Sequence, residues 1–266
     1  MRKIVLCADD YGLTRAINGA IRELVEHRKL SATSVMVVAP GCEATEVTAL
    51  TKSAAGKAQI GLHVTLTAPY QPLASAKFDP LPQLMQRALL YRLDRSRLRA
   101  EIVAQIERFK ALFGRPPDFV DGHQHVQLLP QIRDAFLAAV ALHAPQAWVR
   151  QCGRAPTAPH KTRDRKALIL DILSVRFRRK AAALTVRTNP AFAGTYDFST
   201  NRDFPSLFEG FLAGLPDGGV VMCHPGQVDA DLLALDPLTS QREREFEFFN
   251  STTFDHLLAT KGVTLA

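Results

Sequence analysis

The residues of this chain that could do chemistry recur at a few places. Asp9 and Asp10 close the apolar run Lys3-Ile4-Val5-Leu6-Cys7-Ala8 and precede Tyr11-Gly12. His63 lies in Gly61-Leu62-His63-Val64-Thr65-Leu66. Asp121, His123 and His125 share the stretch Asp121-Gly122-His123-Gln124-His125-Val126. His224 closes Gly219-Val220-Val221-Met222-Cys223. One carboxylate and two imidazoles make a divalent-metal set that leaves positions for water and substrate. A further carboxylate or imidazole beside them can move protons. Each group also has a plainer reading. A lone histidine in an apolar strand is more often packed core than ligand, and an aspartate before a helix often caps it. For the Asp9/Asp10 pair the two readings balance. On a regular strand the two side chains would diverge, but Gly12 predicts a turn just past the pair that could aim both into one cleft. If the run from Phe119 stays extended, Asp121, His123 and His125 share one face, because strand side chains alternate. Three such groups on one strand end are hard to explain as packing.

The surrounding elements predict what positions them. Apolar runs too short for helices, at Lys3–Ala8, Ala32–Ala39, Gln59–Leu66, Phe119–Gln127, Ala147–Cys152, Leu184–Thr188, Gly219–Cys223 and Val263–Leu265, read as strands. Between them, helical spacing covers Thr14–Arg28 (with Thr14 as cap), a short stretch toward Leu50, Pro82–Tyr91, Ser96–Phe113, Pro130–Leu142, Lys161–Arg179, Phe204–Leu212 and Gln241–Leu258. Residues 68–82 and 189–198 read as loops. Such alternation implies parallel strands with helical crossovers. The expectation is one domain over 1–266, a (β/α) barrel of seven to eight strands, deformed or incomplete, with a doubly wound open sheet as the second choice. The candidate residues all follow the apolar body of a strand, and barrel strand ends converge on one rim.

Composition narrows the function. The net charge of +7 is local. Residues 150–187 carry eleven Lys/Arg against two acids and leave the rest of the chain slightly acidic. Cys7, Cys42, Cys152 and Cys223 are far apart and form no C-x-x-C pair, which fits a reduced, cytoplasmic protein. The apolar N-terminal run is too short for a signal peptide, and no later run approaches a membrane span. No glycine-rich dinucleotide or phosphate loop and no G-x-S-x-G elbow appears, which argues against NAD(P), ATP and serine-hydrolase chemistry.

Together, Ala8-Asp9-Asp10-Tyr11-Gly12, Gly61-Leu62-His63-Val64-Thr65-Leu66, Asp121-Gly122-His123-Gln124-His125-Val126 and Met222-Cys223-His224-Pro225 resemble the motifs of the YdjC-like carbohydrate deacetylases. That family includes chitooligosaccharide deacetylase and deacetylases associated with hopanoid biosynthesis. The resemblance covers nearly the whole chain in matching order. It implies a deformed (β/α) barrel of the glycoside hydrolase/deacetylase type that removes an N-acetyl group from an amino sugar. By motif, Asp10, His63 and His123 would hold the metal, Asp9 would be the general base and His224 the acid for the leaving amine. Asp121 would hold His123 or His125 in the right tautomer, and Asp121, His125 and Arg150 would support the centre or touch substrate. The family often carries a D-S-H-H-H-V-H run where this chain has Gln124 and Gln127. The donor types favour zinc or another transition ion, whereas the family is often described with magnesium, so one Mg2+ or Zn2+ is expected. A homodimer is implied too.

Two other readings use the same residues or their surroundings. A metal-dependent hydrolase or isomerase acting on another small substrate, such as a phosphoester, would need the same ligands. The basic segment could mark a nucleic-acid binder, but no RNA-recognition pattern or zinc module accompanies it, so no specific nucleic-acid partner is expected. Residues 166–180 alternate bulky apolar residues with Arg176, Arg178, Arg179 and Lys180. The plain reading is an outer barrel helix with a solvated basic end, favourable against the dipole. The sharper one is contact with an anionic membrane surface.

Overall fold

A computed structural model describes residues 1–158, 165–198 and 203–266. The elements, in chain order, are β1 (Arg2–Tyr11), α1 (Arg15–Glu26), β2 (Ala32–Val35), α2 (Ala44–Ala54), β3 (Gln59–Val64), α3 (Leu81–Leu89), α4 (Arg95–Phe113) and β4 (Phe119–Gly122). A 3-10 turn (His123–Leu128) follows, then α5 (Ile132–His143), β5 (Trp148–Val149), α6 (Arg165–Ala183), β6 (Phe192–Ala193), α7 (Phe204–Leu212), β7 (Gly219–Cys223), α8 (Ala230–Leu235), α9 (Ser240–Phe249), α10 (Thr252–Thr260) and β8 (Val263–Leu265).

All strand pairings are parallel, in the order β5-β4-β3-β2-β1-β7-β6, with β8 added beside Arg2–Ile4 of β1. The end strands are tied by a bridge between Val149 and Thr188 and by the Phe192 amide, which donates to the Gly153 carbonyl at 3.0 Å. The sheet thus curls into an incomplete (β/α) barrel, the architecture expected from the alternation. β7 is apolar and buried throughout and β1 is buried from Ile4 onward, as a sheet covered on both faces requires. On α1, Ile17, Ile21, Leu24 and Val25 form the buried stripe, and Thr14 caps the helix by accepting from the Ile17 amide.

Several elements depart from expectation. The helix read over Gln241–Leu258 is two helices, α9 and α10, because Ser251 caps a new start by accepting from the Phe254 amide. The Leu184–Thr188 run is not a strand: α6 runs on to Ala183, and Thr188 makes only the single bridge to Val149. The paired strand is Phe192–Ala193, inside the stretch read as a loop. Helix α8 had no clear apolar period to announce it. The start of the predicted helix, Lys161–Asp164, lies outside the described residues.

On α6, Phe177, Leu170 and Ser174 face inward. Leu168, Ile169, Ile172 and Val175 remain 50, 52, 62 and 38% exposed. The helix therefore carries more apolar surface than its packed face uses. Among the described residues no helix is long and apolar enough to cross a membrane.

Candidate active site

The two aspartates are separated by a β-bulge rather than by the turn at Gly12. Between the pairs Ala8↔Thr33 and Tyr11↔Val35, β1 places Asp9 and Asp10 against Ser34 alone. Asp10 takes φ +70°, the left-handed region that a non-glycine residue rarely adopts. Both carboxylates therefore reach one cleft on opposite sides of a kink, and both are buried. Neither caps α1, since Thr14 does so; the Gly12 amide donates to the Asn18 side chain at 2.6 Å.

Asp10 Oδ1 faces two imidazoles: His123 Nδ1 at 3.1 Å and His63 Nε2 at 3.4 Å. One donor atom from each of Asp10, His63 and His123 lies within 4.8 Å of the others. His63 and Asp121 are register partners on β3 and β4, and His63 Nδ1 sits 2.6 Å from Asp121 Oδ1. This corrects the expected partner of Asp121: it orients His63, not His123 or His125, because parallel register sets the two side by side. A carboxylate on Nδ1 leaves His63 Nε2 free to ligate.

The expected extended face at Asp121–His125 does not exist. β4 stops at Gly122, and Gln124 and His125 both take left-handed backbone angles, φ 56° and 58°, within the 3-10 turn. A Cβ on Gly122 would lie 2.7 Å from Gln127 Oε1, so any larger residue there would have to displace the Gln127 side chain. His123 swings to Asp10, while His125 leaves the group: its Nδ1 lies 3.6 Å from Cys152 Sγ and its ring packs edge-on against Phe192.

Arg150, wholly buried, grips Asp9 with both ends of its fork, Nη1 to Oδ2 at 2.6 Å and Nη2 to Oδ1 at 2.7 Å. Its Nη2 also lies 2.6 Å from Asp121 Oδ2. Cys7, Asp9 and Asp121 form a second acid-and-thiol cluster. That cluster already holds a cation, the guanidinium, so it does not fit a metal. Burial pushes the Asp9 carboxyl up, but the Arg150 charge and hydrogen bond together with the nearby His63 and His224 outweigh it and hold the group well below the usual carboxylate range. Burial alone would lower the His63 imidazole; Asp121, Asp9 and Asp10 raise it instead to about 10. The space between these acids favours positive charge. With two imidazole nitrogens and one carboxylate oxygen converging there, the Asp10, His63 and His123 donor set fits a divalent ion.

His224 follows β7, whose Cys223 pairs with Ala8 of β1, and its ring lies within reach of the charges of Asp10, Arg242 and Asp9. Its backbone amide donates to Glu245 Oε2 at 2.5 Å, Phe198 packs edge-on against its ring, and its buried Nδ1 has no hydrogen-bond partner among the described residues. Burial pulls its imidazole down to about 4, so it rests neutral near pH 7.

Sequence reasoning missed two residues here, both on α9. Arg242 Nη2 donates to Asp10 Oδ2 at 2.7 Å and to Asp236 Oδ2 at 3.0 Å. Glu245 accepts from the Tyr196 hydroxyl at 2.5 Å as well as from His224, and burial raises its carboxyl to about 7. The clue was available: Arg242, Glu245, Phe246 and Phe249 recur at helical spacing on one buried stripe, where charged residues rarely go unpaired.

Fold and site together define a (β/α) barrel enzyme scaffold with a two-histidine, one-carboxylate centre at its strand ends. The chain belongs to the YdjC-like protein family, whose model matches residues 3–260. It is 33% identical over 272 residues to a chitooligosaccharide deacetylase of Yersinia pestis bv. Antiqua (strain Angola), covering 98% of this chain and 96% of that one. To the chitooligosaccharide deacetylase of Serratia marcescens it is 28% identical over 274 residues, again covering 98% and 96%. Among solved structures, a protein of Enterococcus faecalis V583 to which cleavage of cellobiose-phosphate is ascribed superposes with TM-score 0.74 at 20% identity, covering 100% and 97% of the two chains. A peptidoglycan N-acetylglucosamine deacetylase superposes with TM-score 0.54 at 11% identity, covering 99% and 85%. At those identities the likeness speaks for the fold alone.

Proposed function

We propose that this chain is a metal-dependent carbohydrate N-deacetylase that hydrolyses the acetamide of an amino-sugar-containing glycan or glycolipid. The observation that carries the reading is the division of the bulged aspartate pair. Asp10 presents Oδ1 to two imidazoles, while Asp9 stands beside it on a separate cation. Family membership and the deacetylase relatives support the same chemistry.

Asp10, His63 and His123 would hold one divalent ion, Mg2+ or Zn2+. When bound, such an ion acidifies a water and polarises a carbonyl. The chain's own groups then divide the proton work. Asp9 is placed to accept the proton of the attacking water. Arg150 fixes its orientation and lowers its basicity, so it suits a water that is already acidic. His224, neutral at rest with Nδ1 unpartnered among the described residues, would first take up a proton, the one Asp9 accepts from the water being the available source, and then pass it to the leaving nitrogen. Asp121 keeps the His63 ring turned toward Asp10. The four free, buried cysteines suit a reducing, cytoplasmic setting.

The exposed apolar residues of α6, with Arg176 and Arg179 exposed just beyond them toward its C-terminal end, support contact with an anionic membrane surface. A homodimer is the other partner implied by family resemblance; mass in solution at rising protein concentration tests it. The reaction is tested by acetate release from a panel of N-acetylated glycans, free and lipid-linked, with added metals. Inorganic phosphate from phosphorylated sugars without acetate from any glycan would transfer the site to phosphoester hydrolysis.

A further inference from the structure

Asp10 is held from both sides. Its Oδ1 faces His63 and His123, and its Oδ2 accepts from Arg242 Nη2 at 2.7 Å. Arg242 is itself immobilised. It is 1% exposed, its Nε donates to the Leu238 carbonyl at 3.0 Å, and Asp236 shares its Nη2. The helix that carries it is anchored as well: Phe248 and Phe249 of α9 pack among Phe204, Phe208 and Phe254 of α7 and α10. The Arg242 carbonyl also accepts from the Gly226 amide at 3.0 Å, which ties α9 to the segment just past His224. A fixed guanidinium is thus aimed at the carboxylate oxygen that the two imidazoles do not face.

We propose that Arg242 is a positioning residue for Asp10, reserving Oδ2 so that the centre receives a single oxygen from this carboxylate and keeps its remaining positions for water and substrate. The inference rests on Asp10, His63 and His123 holding a divalent ion. A permanent cation beside a cation site also opposes ion binding. A free Oδ2 would add a second donor from the same carboxylate, which carboxylates readily offer to hard cations. The chain therefore trades ion affinity for open positions. Arg242 acts through Asp10; it is not a catalytic residue.

The sign of the effect separates this role from mere support. If Arg242 only props up the fold, removing it loosens the centre and weakens ion binding. If it reserves Oδ2, removing it strengthens binding. The probe is Co2+, followed by competition with a chromophoric chelator and by its visible absorption, with circular dichroism as a check on folding. Arg242→Gln should bind one Co2+ per chain at least about tenfold more tightly than wild type, a floor well under the roughly thousandfold that loss of a unit charge about 4 Å away gives at an effective dielectric near 20. Its visible absorption should weaken as coordination number rises, and deacetylation should fall. Arg242→Lys, which keeps the charge, should stay near wild-type affinity. Arg242→Met, which also removes the charge and frees Oδ2 while keeping an unbranched side chain, should tighten binding likewise and serves if Arg242→Gln fails to fold. Equal or weaker Co2+ binding by the folded Arg242→Gln or Arg242→Met variant would overturn the proposal. Failure of wild type to bind Co2+ at all, or binding that survives His123→Ala, would instead remove the metal reading on which it rests.

Discussion

Glu245→Gln should change how the stability of this protein depends on pH, and the structure sets both sign and size. Glu245 is buried, accepts from Tyr196 and from the His224 amide, and is raised from its ordinary 4.5 to about 7. A carboxyl whose folded value lies above its unfolded one binds its proton more tightly in the folded state. Its contribution is present in full below about 4.5 and is lost as pH rises toward 7. His224 works the other way. Its imidazole is lowered from 6.5 to about 4, so the unfolded chain binds the proton more tightly. That contribution is present above 6.5 and is lost as pH falls toward 4. Each shift spans two to three pH units, worth about 3 kcal/mol at 1.36 kcal/mol per unit. The two slopes nearly cancel in the wild type across pH 4.5–6.5. Glu245→Gln removes the falling slope and leaves the rising one. Urea unfolding with a chelator present, at pH steps from 4.5 to 7.5, should show the variant's stability relative to wild type improving by about 3 kcal/mol over that range. A stability difference that stays constant across those steps would refute the reasoning, because it would mean that Glu245 titrates alike folded and unfolded.

Three further outcomes follow from the same geometry. His123→Ala should abolish bound metal and activity together, whereas His125→Ala should keep the metal, since His125 faces Cys152 and Phe192; metal analysis of the purified variants decides this. Asp9→Asn should keep metal stoichiometry while turnover falls by about 10²–10⁴-fold, the usual contribution of a general base. A loss under tenfold in both Asp9→Asn and His224→Ala would take those residues out of the mechanism. Changing Arg176, Arg178, Arg179 and Lys180 to Gln should abolish co-sedimentation with anionic liposomes at low salt, each charge contributing about 1 kcal/mol; equal, negligible binding by both proteins would leave a soluble glycan as substrate.

The amino-acid sequence by itself determined the architecture and most of the chemical inventory. Buried parallel strands must be continuously apolar, and outer helices must show an apolar stripe, so β1, β3, β7, α1 and α4 are legible from local pattern alone. The strand ends then place Asp9, Asp10, His63, Asp121, His123 and His224 on one rim without any knowledge of contacts. What only the tertiary structure decided is how those groups pair. The bulge that puts Asp9 and Asp10 against Ser34 depends on a neighbouring strand's register, which β1 does not encode. The left-handed turn at Gln124 and His125 separates His123 from His125, and it overrides a period-two pattern that only an extended chain would obey. Parallel pairing gave Asp121 to His63 rather than to the histidines beside it in sequence. Arg150 and Arg242 lie 141 and 232 residues from the aspartates they grip. A cation can be read from sequence, but the carboxylate that neutralises it is chosen by which side chains share one desolvated space.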